Sequence, residues 1–176
     1  MIILQKGNIL DALKDDRIGA IAHGVNCSGG FGSGIAGQIA QQYPEVREAY
    51  LKKYNDGKIY SPYGWFLGDI QPVKVQVEQP PFVIGGPPRA NHKPYYETKY
   101  IINCATQKNY GSDGTQYVDY GAIRDCIQSL KLFSNNNFSN LAIPKIGTGL
   151  GGGDWETIEN IILNIFHDIN ISIYVL

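Results

Sequence analysis

An α/β sandwich built on a largely parallel or mixed sheet is the fold class this sequence predicts, on three observations. Strand-like and helix-like patterns alternate along the 176 residues, the pattern of a sheet covered by helices. Ile18–Val25 is a near-continuous apolar run, as expected of a central strand buried on both faces. Two glycine-rich stretches, after Val25 and after Pro144, each sit between an apolar run and a helical pattern.

The elements follow in order. Met1–Gln5 is an edge or opening strand, and Asn8 caps a short helix reaching about Lys14. Ile18–Val25 is followed by a helix from near Gly34 to about Tyr43, and Pro44 starts a second helical segment with Val46, Tyr50 and Leu51 on one face. Trp65–Leu67, Val73–Val77 and Lys99–Ala105 read as strands. Ile123, Cys126, Ile127, Leu130 and Phe133 recur at helical spacing, and Asn135-Asn-Asn137 reads as the exposed loop into the short core strand Leu141–Pro144. Asp154 caps a last helix with Trp155, Ile158, Ile161, Ile162, Ile165 and Phe166 on one face, and Ile171–Leu176 closes the sheet. Between residues 78 and 97, five prolines and Gly85-Gly86 mark a long loop or flap, too short to fold alone. The chain 1–176 therefore reads as a single domain.

Composition narrows the function. A hydrophobic share of 43% with 18% charged residues is globular rather than disordered. A formal net charge of −1 gives no electrostatic footprint for nucleic acid or anionic membrane. No apolar run approaches the roughly 20 residues needed to cross a bilayer. Three cysteines without metal-ligand spacing indicate a reduced, cytoplasmic protein with no metal. A monomer is expected, with no cofactor.

Glycine runs at strand-to-helix turns let backbone N–H groups close around an anion, helped by the helix dipole. Two of them in one short chain point to a ligand with two phosphates, or a phosphate and a sugar. Gly32-Ser-Gly34-Ile-Ala-Gly37 fits the dinucleotide pattern G-x-G-x-x-G. That fingerprint also needs a second strand ending in an acidic residue about 20 positions later. Here the chain continues as a polar helix instead, so a Rossmann enzyme is a distant alternative. A nucleophilic Cys27 is disfavoured, because no arginine closes a C-x₅-R loop around it.

The run Ala22-His-Gly-Val-Asn-Cys-Ser-Gly-Gly-Phe-Gly-Ser-Gly-Ile-Ala36 resembles the first ligand loop of macrodomains. Ile143-Pro-Lys-Ile-Gly-Thr-Gly-Leu-Gly-Gly-Gly-Asp-Trp155 resembles their second, phosphate-binding loop, and Lys6-Gly-Asn-Ile-Leu10 stands where the family usually has Gly-Asp-Ile. The resemblance extends over nearly the whole chain outside the Pro-rich segment. It is most specific to the branch with ADP-ribose-1″-phosphate phosphatases and the terminal ADP-ribose glycohydrolase. It implies a three-layer α/β/α sandwich with a mixed central sheet, binding ADP-ribose at the strand C-termini.

On that resemblance Asn8 accepts from the adenine amine and the Ile9 N–H meets a ring nitrogen, with Gly7 beside them. Asn in place of the family's Asp keeps the acceptor and loses the charge; a plain helix cap is the other role open to Asn8. Gly147, Thr148, Gly149, Leu150 and Gly151 present donors to the pyrophosphate. Gly29, Gly30 and Gly32 wrap the distal side, and Phe31 either covers a ribose face or is simply buried. Asn26, Ser28, Ser33, Gly34, Ile35 and Ile146 complete the ligand-binding set.

Three residues are candidates for chemistry, each with a plain structural alternative. His23 is an acid–base group or a core histidine. Lys108 resembles the lysine that attacks the ribose in the terminal glycohydrolase, or is a solvated surface lysine. Asp154 activates water or only caps the last helix. The glycohydrolase has an Asp where this chain has Gly151, which weakens the covalent reading. The expected activity is hydrolysis of the distal phosphate of ADP-ribose-1″-phosphate. Removal of ADP-ribose from modified macromolecules and non-catalytic ADP-ribose reading are the alternatives.

Overall fold

Alternation of side chains along three neighbouring strands divides the interior of this protein into two cores. The computed structural model describes residues 2–79, 94–138, 140–167 and 170–175. In chain order the elements are β1 (Ile2–Lys6), α1 (Ile9–Ala12), β2 (Ala20–Asn26), α2 (Gly34–Gln42), α3 (Pro44–Gly57), β3 (Ile70–Gln79), β4 (Tyr95–Gln107), α4 (Tyr120–Ser134), β5 (Asn140–Pro144), α5 (Trp155–Ile165) and β6 (Asn170–Val175). They build one six-stranded sheet in the order β1-β6-β5-β2-β4-β3. All pairings are parallel except β3 with β4, so the sheet is mixed.

Ile21 and Val25 of β2, Ile101 and Ala105 of β4 and Ala142 of β5 face one core, with α1, Ile39 of α2 and Val46 and Tyr50 of α3. Their neighbours Ala20, Ala22, Ile102, Cys104, Leu141 and Ile143 face the other core, under Ile123 and Ile127 of α4 and Ile158 and Ile162 of α5. A period of two along each strand thus gives a three-layer α/β/α sandwich. Caps set the helix starts. Asn8, Asp119 and Asp154 accept from the N–H groups of Leu10, Ala122 and Thr157, and Pro44 occupies the first turn of α3.

Three expectations change. Trp65–Leu67 is not a strand: Trp65 is apolar-packed because its ring stacks on Tyr50 and its Nε1–H donates to the Tyr50 carbonyl at 3.2 Å. β6 does not close the sheet but lies inside it, between β1 and β5. At the ends of the Pro/Gly-rich segment, Glu78 pairs with Tyr96 and Gln79 with Tyr95. The remainder of the expected flap, residues 80–93, lies outside the described residues. A Rossmann arrangement is also overturned, because α2 leads into α3 and the next strand, β3, is an antiparallel edge.

Candidate functional site

The first glycine stretch leaves β2 at Asn26, whose side chain organises it. Asn26 Oδ1 accepts from the N–H of Ser28 (2.9 Å) and of Gly30 (3.1 Å), while Nδ2 donates to the Gly30 carbonyl at 2.7 Å. The Tyr50 hydroxyl, buried beneath, donates to the Asn26 carbonyl (2.8 Å) and accepts from the Gly29 N–H (3.0 Å). Gly29 has φ +86, and a Cβ there would meet the Tyr54 ring at 2.6 Å. The N–H groups of Ser28, Gly29 and Gly30 are therefore consumed in shaping the loop.

The free donors lie further on, at the start of α2. Its cap Ser33 makes no side-chain cap hydrogen bond. The first N–H groups of a helix have no intrahelical partner, so those of Gly34, Ile35 and Ala36 are open. In the second stretch the Thr148 N–H is held by the Lys145 carbonyl at 3.2 Å, and Gly152 and Gly153 donate within the loop. Among the described residues, the N–H groups of Gly147, Gly149, Leu150 and Gly151 have no protein acceptor.

Both sets of donors border one cleft of about 380 Å³ at the C-terminal ends of β2, β4 and β5. His23, Asn26, Gly30, Gly32, Ser33, Gly34 and Ile35 line one side of it. Ile146, Gly147, Thr148, Gly149, Leu150 and Gly151 line the other, as does Lys145, whose ammonium lies 5.5 Å from the Trp155 ring centroid. Two groups of convergent N–H donors, one at a helix N-terminus, make an anion cradle.

His23, the middle residue of β2, lines this cleft and is 1% exposed. Its Nε2 lies 2.7 Å from Asn103 Oδ1, and its Nδ1 has no partner among the described residues. The Phe31 ring meets it edge-on at 5.6 Å. Burial pushes the imidazole down from 6.5 to about 4, with the Asn103 hydrogen bond offsetting part of the shift. His23 is neutral at pH 7.

A family model for the Macro domain matches residues 90–162. The macrodomain of Mycobacterium tuberculosis DarG superposes with a TM-score of 0.70 at 26% identity, over 99% of this chain and 97% of that one. The fold is that of a macrodomain. A protein of M. tuberculosis called DNA ADP-ribosyl glycohydrolase is 28% identical over 179 residues, 99% of this chain and 42% of its own length. The chain thus spans less than half of that relative. The ADP-ribose 1″-phosphate phosphatase of Scheffersomyces stipitis is 25% identical over 188 residues, covering 100% of both chains.

Within this fold several expected site residues stand apart from the cleft wall. Lys108 is not among the cleft residues and places its ammonium 5.8 Å from the Tyr63 ring centroid. Asp154 is exposed and bonded to the Thr157 N–H (2.8 Å) and hydroxyl (2.7 Å), which hold its carboxyl below the usual range. Phe31 is buried against His23 and Tyr50. Ser28 Oγ reaches the Lys108 carbonyl and Asn109 Oδ1, tying the first loop to the end of β4. Gly7, Asn8 and Ile9 lie at the end of β1, where Asn8 Nδ2 comes 3.5 Å from Oε1 of Gln38, a cleft residue. Cys27 is buried, and burial raises its thiol to about 11, too high for a thiolate nucleophile at neutral pH.

The cleft also contains residues that sequence reasoning missed: Gln38, Thr106, Gln107 and Tyr110. Gln107 occupies the cleft where Lys108 was expected. A register shift after Val25 sets Gln107, in place of Thr106, opposite Asn26. No motif announces that shift. Tyr110 packs so close to the first loop that a Cβ at Gly30 would lie 2.5 Å from its ring, a contact between residues 80 positions apart that no sequence window shows.

Burial of His23 has a consequence for stability. The unfolded ring takes a proton near 6.5 and the folded ring only near 4. Between those values the unfolded chain binds more protons, so stability is full above 6.5 and falls as the pH drops toward 4. The effect is of order 3 kcal/mol. Asp15, held to about 2 chiefly by its hydrogen bond to Arg17, acts only at lower pH. Urea midpoints measured from pH 7 to 4 should therefore decline in the wild type and decline less in His23→Gln. Equal slopes would remove His23 as the cause.

Proposed function

We propose that this macrodomain binds ADP-ribose and hydrolyses the distal phosphate of ADP-ribose-1″-phosphate. The observation that supports this most is the pair of unpartnered N–H sets, at the start of α2 and in the second loop, on opposite sides of one cleft. A pyrophosphate bridging them satisfies both. The distal sugar then lies toward Gly30, Gly32 and His23.

The chemistry requires a water oxygen to bond to phosphorus while the bond from phosphorus to the C1″ oxygen breaks. A neutral His23 can accept the water proton, and the released C1″ oxygen is protonated in turn. The backbone donors stabilise charge on the phosphoryl oxygens. The full-length match to a relative named as a phosphatase supports the same reading.

Removal of ADP-ribose from a modified macromolecule is the second reading, favoured by the relative named a DNA ADP-ribosyl glycohydrolase. This reading does not rest on a lysine nucleophile, since Gln107 and not Lys108 lines the cleft and the Lys108 ammonium lies 5.8 Å from the Tyr63 ring centroid.

The test is calorimetric titration with ADP-ribose, with NAD and AMP as controls, followed by phosphate release from ADP-ribose-1″-phosphate. Micromolar binding selective for ADP-ribose is expected. His23→Ala should lose roughly 100-fold or more in turnover and still bind, whereas Lys108→Ala should keep both. No selectivity for ADP-ribose, or full turnover in His23→Ala, overturns the proposal. Selective binding without phosphate release moves the assignment to the second reading or to a non-catalytic reader.

A further inference from the structure

Three polar side chains share one rung of the sheet. Gln71 of β3 pairs with Asn103 of β4, and Asn103 pairs with His23 of β2. They lie in a file through the core otherwise formed by Ile21, Val25, Ile101 and Ala105. A polar file in that position is costly unless each group is satisfied.

Its hydrogen bonds run in one direction, fixed by its far end. Gln71 Nε2 donates to the Ala49 carbonyl of α3 at 3.0 Å. A backbone carbonyl only accepts, so the Gln71 amide cannot be reversed without losing that bond. Gln71 Oε1 then accepts from Asn103 Nδ2 at 3.0 Å, which turns Asn103 Oδ1 toward the histidine. Oδ1 also only accepts, so the nitrogen facing it at 2.7 Å, His23 Nε2, bears the proton. In a neutral ring the other nitrogen, Nδ1, is left with a lone pair. That atom has no partner among the described residues.

We propose that Asn103 and Gln71 are positioning residues, which fix His23 as its Nε2–H tautomer and leave the buried Nδ1 as the ring nitrogen able to accept a proton. The role in turnover rests on the function proposed above; the tautomer itself does not. The chain of bonds starts on α3 and ends at the ring of His23, a residue that lines the cleft, so the helix backbone determines which ring nitrogen keeps its lone pair. The shift of the ring comes from burial, Asn103 and the Gly24 backbone, with no charged side chain contributing. Phe31 and Tyr50, the aromatic rings beside it, are uncharged at neutral pH.

The first measurement needs no variant. Nitrogen-15 NMR of the histidine rings in the full chain, with His23 assigned by its loss in His23→Gln, should show a protonated Nε2 and an unprotonated Nδ1 at pH 7. A protonated Nδ1, or two tautomers in exchange, overturns the proposal. Asn103→Leu should let the tautomers exchange and lower kcat about tenfold or more, with ADP-ribose affinity within twofold. Asn103→Asp restores the acceptor and adds a negative charge. It should recover the Nε2–H tautomer and raise the pH at which the ring titrates by one unit or more. If Asn103→Leu does not fold, Asn103→Asp and Gln71→Leu provide the same comparison, the second loosening the amide orientation from its far end. A wild-type tautomer and wild-type kcat in the folded Leu variant would overturn the role of Asn103. A wild type that fails to bind ADP-ribose would sink the functional reading, while the tautomer result stands by itself.

Discussion

Gly149→Glu should abolish ADP-ribose binding without weakening the fold. A Cβ at Gly149 meets nothing within 4 Å, and its φ is not in the left-handed region, so the backbone tolerates a side chain there. The added carboxylate would stand on the cleft side of the loop, among the open N–H groups of Gly147, Leu150 and Gly151. It would occupy the anion position and repel any phosphate entering it. An unfavourable contact of a few kcal/mol corresponds to a loss of about 100-fold or more in affinity. Calorimetry should show no measurable heat of ADP-ribose binding, and thermal unfolding should stay within about 2 °C of the wild type. Undiminished affinity would mean that the second loop does not hold the ligand.

The opposite outcome is expected at Gly64, where a methyl group should damage the fold. A Cβ on Gly64 would lie 1.8 Å from the Tyr54 carbonyl oxygen, and one on Gly57 would lie 1.8 Å from the Gly64 carbonyl oxygen. Both neighbours are backbone, so no rotamer change relieves the contact. This close approach packs the end of α3 against the segment that inserts Trp65 beneath Tyr50. Gly64→Ala must separate the two, and overpacking of this kind costs about 3 kcal/mol or more. For a chain of this size that is a loss of roughly 6–12 °C in Tm. Because Tyr50 supports Asn26 and Gly29, ADP-ribose affinity should fall as well. A Tm within about 2 °C of the wild type would show that the approach is looser than the structure describes.

The layered fold was legible because its determinants are local. Ile18–Val25 reads as a buried strand from its own composition, and Asn8 and Asp154 are capping residue types before apolar helical runs. Both glycine stretches were legible for the same reason. What remained hidden depends on residues distant in sequence. Trp65 resembles a strand residue until Tyr50 is placed beside it. The donors of Ser28, Gly29 and Gly30 look available until Asn26 and Tyr50 are seen to use them. That Gln107 rather than Lys108 lines the cleft depends on how the end of β4 meets β2, where Asn26 pairs with Gln107 after a one-residue register shift. The polar file from Ala49 to His23 crosses three strands that no sequence window contains.

The position of β2 also bears on how the molecule is made. Its neighbours are β4 and β5, both encoded far downstream, and both pairings are parallel. Such long-range parallel contacts form slowly, since extended loops must close before any of them is rewarded. During synthesis, the strand bearing His23 therefore emerges long before either partner exists. The anion cradle, split between the residues after β2 and those after β5, is among the last features to assemble. A chain interrupted before Leu141 would have its first loop and α2 sequence complete, yet no cleft for a ligand to enter.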